Sequence, residues 1–213
     1  MTARPLPTLI ERGQRRVFAS VADWPGWCRS AKDEDTALAA LASYAERYAV
    51  VVRAAGRRMP ARPTFEVVER VKGNATTDFG APGAIARADR EALSKAQAQR
   101  LVDLLEASWS VLDDVVAAAP SSLRKGPRGG GRDRDAIAQH VVAAEAAYAR
   151  KLGLTKVSEP TYTDRDSVRA LRDRVVEAVL ARPEDTKWPV RYAVRRFAWH
   201  VLDHAWEIED KSE

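Results

Sequence analysis

The 213-residue chain is poor in the residues that staple or metallate most small folds: it has one cysteine and three histidines. With Cys28 alone, no intramolecular disulfide forms and no thiolate cluster can hold zinc. Any metal site must therefore be built from His, Asp and Glu. No apolar run approaches the ~18 residues that a membrane-spanning helix needs. The N-terminal "MTARPLPTLIERGQRR" also lacks the apolar stretch and small-residue cleavage site of a secretory signal. The expectation is a cytoplasmic protein with no membrane partner.

Charge excludes less. The net +5 lies in residues 1–88, with 14 Lys/Arg against 9 Asp/Glu, while residues 89–213 carry 21 of each. The basic residues are dispersed and not interleaved with aromatics as in RNA- or DNA-binding modules, so nucleic acid is not an expected partner. With 46% hydrophobic residues, the chain has enough apolar material for a real core.

What is present divides into two parts. "RRVFASV" (15–21) reads as a strand, "DWPGWCRS" as the turn after it, and "PTFEVVERVKG" (63–73) as a second strand. Between them Leu38, Leu41, Tyr44, Ala45 and Tyr48 recur at helical spacing before Gly56. Residues 1–87 are thus expected to form a small α+β domain. From residue 88 the pattern predicts four long amphipathic helices, at about 89–119, 133–152, 164–181 and 189–210. The expected fold class is an α+β N-terminal unit followed by an all-α four-helix bundle over 88–213.

His140, His200 and His204 all fall inside these helices. A spacing of four puts His200 and His204 on one face, one turn apart, where their ring nitrogens can converge on one ion. A single histidine is more commonly a hydrogen-bonded core residue than a ligand. Three in the core-forming helices and none elsewhere favour a facial metal site with open coordination positions.

The residues His140, Glu145 and Tyr148 in "AQHVVAAEAAYARKLG", followed by "WHVLDHAWEIED" with its HxxxH pair, resemble the DinB-like superfamily over about 88–210. That superfamily of metal-binding four-helix bundles includes mycothiol-dependent maleylpyruvate isomerases and bacillithiol transferases. The resemblance implies a divalent metal (zinc, nickel or iron) on the three histidines. It also implies a small-molecule substrate, such as a low-molecular-weight thiol, and transferase or hydrolase chemistry. The N-terminal part has no counterpart in the usual bundle. Its Asp23, Pro25, Gly26 and Thr36-Ala37-Leu38 are similar to the HicB-type partial RNase-H-like unit, without the glutamate expected before Ala37.

Asp203, Glu207 and Glu145 lie near the histidines in sequence and are the candidate catalytic carboxylates, to orient an imidazole or accept a proton. In "LRKGPRGGGRDRD", just before the first histidine helix, Arg132 and Arg134 are candidates for holding a substrate anion, or else belong to a solvated linker. Tyr148 is a candidate hydrogen-bond donor to substrate. Arg191, Arg195 and Arg196 read as a solvated or salt-bridged face, and Cys28 as a buried, inert thiol. A homodimer fits these expectations. The alternative is a non-catalytic binding or regulatory protein that works through the N-terminal domain.

Overall fold

The computed structural model describes residues 4–126 and 130–212; Pro127, Arg128 and Gly129 of the glycine-rich linker lie outside it. Four strands form one mixed sheet in the order β3-β2-β1-β4. Strands β1 (Leu6–Arg12), β2 (Val17–Val21) and β3 (Cys28–Ala31) are antiparallel neighbours, and β4 (Phe65–Lys72) runs parallel to β1. Helices α1 (Glu34–Ser43) and α2 (Ala45–Ala54) make the crossover that a parallel β1/β4 pair requires. The Asp33 carboxylate caps α1 by accepting from the Thr36 amide.

The sequence reading located β2 and β4 and missed β1 and β3. In β1 the stretch from Thr8 to Glu11 is buried on both faces, so no apolar/polar alternation marks it. Strand β2 is also buried on both faces, with Val17, Ala19 and Val21 in the core shared with α1 and α2 and Phe18 against Trp199 on the other side; its run of β-type apolar residues, not alternation, marks it.

Beyond the short helix α3 (Ala75–Phe79), the chain enters α4 (Lys95–Ala118), α5 (Arg134–Lys151), α6 (Arg165–Ala181) and α7 (Val190–Ser212). Helix α4 starts six residues later than expected. Ser94 and Gln97 form a reciprocal capping box there, and Ala88–Arg90 forms a separate 3-10 turn. Gly153, at φ +99°, closes α5 in a conformation open to glycine.

The expected four-helix bundle following an α+β unit is not what the chain forms; a four-stranded mixed sheet and seven α-helices share their cores among the described residues. The reason lies in α7 and α4. Of the 23 residues of α7, 15 are buried, more than one stripe facing a bundle interior would bury. Phe197, Val201 and Ile208 pack with α4, α5 and α6, whereas Leu202 and Trp206 pack with the sheet, α1 and α2. Helix α4 divides likewise: Leu101, Leu105 and Leu112 face the helices, and Leu104, Ala107 and Val111 the sheet side. The strands do precede the long helices, as expected, but α7 lies between two cores. Among the described residues no helix is long and apolar enough to cross a membrane.

Candidate metal centre

The three histidines meet between α5 and α7. Each offers one ring nitrogen, and these atoms lie within 4.8 Å of one another. The His200 and His140 Nε2 atoms are 3.3 Å apart. Two nitrogens bound at about 2.05 Å to a tetrahedral zinc are themselves about 3.3 Å apart, so this pair already has ligand spacing. The ring centroids are 5.0 Å apart for His140 with each partner and 4.6 Å apart for His200 and His204.

His204 is held by a carboxylate. Its Nδ1–H donates to Glu207 Oε2 at 2.7 Å, and Lys211 Nζ donates to the other carboxylate oxygen. The hydrogen bond from His204 holds the Glu207 carboxyl down at about 2, against the cost of its partial burial. The Glu207 carboxylate holds the His204 ring through Nδ1 and leaves Nε2 as its other ring nitrogen, the arrangement in which an outer carboxylate orients a ligating imidazole.

His200 distinguishes a ligand from a core histidine. It is only 7% exposed, its Nδ1 has no hydrogen-bond partner among the described residues, and the polar neighbour of its Nε2 is another imidazole. A histidine kept for core packing is normally hydrogen-bonded by the protein. Burial pushes the His200 pKa well below its ordinary value, and the neighbouring His204, His140, Arg196 and Arg132 lower it further. His140 is lowered too, first by burial and then by His204 and Arg132. Both imidazoles are therefore neutral at neutral pH, the form that binds a metal.

The other candidates separate. Glu207 is at the cluster. Asp203 instead pairs with Arg29 at 2.9 Å, and that guanidinium lies 4.0 Å over the Tyr44 ring, so Asp203 ties α7 to the sheet and α1 end of the molecule. Glu145 is turned to α6 and buried against Arg172 at 3.2 Å. Arg134 donates to the Ala119 carbonyl at 2.8 Å and pairs with Asp135, fastening α5 to the end of α4. Arg132 is exposed, and its charge reaches His140 and His200. Arg124, eight residues before it, lies against the end of α7, where its amide donates to the Lys211 carbonyl. Tyr148 stands beside the site, its ring 5.6 Å from that of His200.

Cys28 is buried, and desolvation pushes its thiol up to about 12, as an inert thiol requires. Arg195 and Arg196, expected on a solvated or salt-bridged face, are both buried. Arg195 does make a salt bridge, with Asp89. Arg196 makes none among the described residues, and the sequence reading missed it as a member of the site. The available signal was its spacing: 196, 200 and 204 form one stripe on α7.

A depression of about 280 Å³, lined by Arg29, Tyr44, Asp203, Trp206, Glu207 and Lys211 among others, adjoins the carboxylate that orients His204. A larger cavity of about 520 Å³, at Leu93, Arg182 and Arg191, touches none of the histidines. Comparison with family models, with curated proteins and with solved structures returned no match.

Proposed function

We propose that His140, His200 and His204 bind one divalent metal ion, and that the protein is a metal-dependent enzyme acting on a small molecule in a transferase or hydrolase reaction. The observation that carries this reading is His200: a buried imidazole whose hydrogen-bonding atoms meet only another imidazole. An ion between the facing Nε2 atoms of His140 and His200 takes the place of an imidazole–imidazole contact and gives both lone pairs a partner.

Three protein ligands leave positions open for substrate, which is what separates a reactive site from a closed structural one. When bound, a divalent ion there supplies Lewis acidity, polarising a substrate oxygen or lowering the pKa of water or a thiol. The protein's own groups divide the remaining work. Glu207 orients His204, Tyr148 offers a phenolic hydrogen bond, and burial at His200 keeps water from one side of the cluster.

The test is elemental analysis of the purified full chain after dialysis against zinc, nickel or ferrous iron. One equivalent bound by the native protein and lost in His200→Ala is the expected result. A folded native protein that takes up none of these metals overturns the reading.

A further inference from the structure

Three arginines are buried among the described residues, and one of them differs from the others. Arg172 meets Glu145 and Asp113, and Arg195 meets both oxygens of Asp89. Arg196 is 6% exposed, yet among the described residues its guanidinium donates only to Tyr148 Oη, from Nη2 at 3.1 Å. Its Nε and Nη1 are buried without a partner. The rings of Trp199, Tyr148 and Trp188 surround the cation at 4.8, 5.1 and 6.0 Å from Cζ. Ring faces attract the charge but do not accept the in-plane N–H groups. A cation buried without a counter-charge is costly, and an arriving anion removes that cost.

The position of Arg196 gives the anion a use. It lies one helical turn before His200 on the same stripe of α7, and Tyr148 lies beside both. Glu207, the carboxylate at the histidines, is already engaged by His204 and Lys211. Glu207 is thus not free to offset the fixed charge of Arg196. Tyr148 Oη accepts from Arg196 and donates to no group among the described residues. Burial keeps its pKa above the ordinary phenol value, so its proton stays in place at neutral pH.

We propose that Tyr148 and Arg196 form an anion-holding arm of the site, taking a carboxylate or phosphate group of a small-molecule ligand whose neighbouring atoms reach the histidines. Arg196 occupies a lone pair of the phenolic oxygen and supplies the compensating charge. The phenolic O–H is left to donate to the anion. This names the substrate class as anionic. It rests on the metal reading for what the bound molecule undergoes, though not for where its anion sits.

The probes are acetate and methyl phosphate, with acetamide as the neutral control. They are titrated into the full chain with and without one equivalent of zinc, and tryptophan fluorescence reports from Trp188 and Trp199 beside Arg196. Expected are saturable binding of one of the anions, none of acetamide, a loss of at least tenfold in affinity in Arg196→Met, and a severalfold loss in Tyr148→Phe. Zinc content stays unchanged in both variants. The ligand-free Arg196→Met protein melts at or above the native temperature, because an uncompensated buried charge is gone; a merely structural arginine would lower it. If Arg196→Met fails to fold, Arg196→Lys and Tyr148→Phe carry the comparison. Equal anion affinity in native and variant proteins, or no saturable binding of either anion to the native protein, overturns the arm. Anion binding without zinc uptake discards the metal and keeps the arm; zinc uptake without anion binding does the reverse.

Discussion

His140 Nε2 and His200 Nε2 face each other at 3.3 Å across the α5/α7 contact. Two neutral imidazoles in that relation can share one proton or converge on one ion. Two protonated ones repel. The neutral state is therefore built into the packing of the two helices.

Metal-free stability should follow from this. Burial lowers the folded-state pKa of both His140 and His200 below the ordinary value of about 6.5 that the unfolded chain retains. Between the folded and unfolded pKa values the unfolded chain binds more protons, so unfolding free energy rises with pH there. The stabilisation is fully present above pH 6.5 and is lost as pH falls below it. Urea midpoints of metal-free protein from pH 7.5 to 5 should decline, and less steeply in His200→Gln. A native profile flat across that range contradicts the burial of neutral imidazoles.

Glu207→Gln tests the carboxylate that orients His204. The amide oxygen still accepts from Nδ1–H, but the charge shared with Lys211 is gone. Removing such an outer partner costs roughly 10- to 100-fold in metal affinity. Zinc affinity by chelator competition should fall by at least tenfold while far-UV circular dichroism is unchanged. Unchanged affinity would assign Glu207 to the surface.

How much of this was legible in the sequence depended on how far away each partner sits. The HxxxH stripe and the Glu207 contact are three- and four-residue spacings on one helix, and helical geometry displays them. Asp203 and Glu145 are also carboxylates within five residues of a histidine, yet their partners Arg29 and Arg172 are 174 and 27 residues away. No local pattern distinguishes a carboxylate facing an imidazole from one that anchors a distant strand or helix. Arg196 was visible by spacing and obscured by residue type, since unpaired arginine is rarely buried. The same limit explains the fold. Period 3.6 located α5 and α6 to within a residue or two and most of α4 and α7, but it does not say that α7 is buried on more than one side, between helices and sheet.

Glu145→Leu separates stability from site. Glu145 is buried against Arg172, which keeps Asp113 as a second partner. Breaking a buried pair on one side leaves a charge without full compensation and costs about 3 kcal/mol. Denaturant unfolding should show that loss with one equivalent of zinc still bound. If zinc binding disappears from a folded Glu145→Leu protein, Glu145 belongs to the metal centre after all.

Gly26 links the sheet to the helix that carries His200 and His204. It turns the chain between β2 and β3 at φ +92°, and a Cβ there would lie 2.6 Å from Leu202 Cδ1 and 3.2 Å from Ala198 Cβ. Both neighbours are fully buried on α7, two residues to either side of His200. The turn has little freedom to retreat, because Tyr48 Oη donates to the Pro25 carbonyl and Trp27 Nε1 to the Leu41 carbonyl, at 2.9 Å each. Gly26→Ala therefore combines an unfavourable backbone conformation with overpacking, together about 2–3 kcal/mol. The strain is relieved most directly by moving α7 away from the sheet, which carries His200 with it. Unfolding free energy and zinc affinity should fall together in Gly26→Ala. A stability within about 0.5 kcal/mol of the native protein would mean that α7 is not seated against this turn.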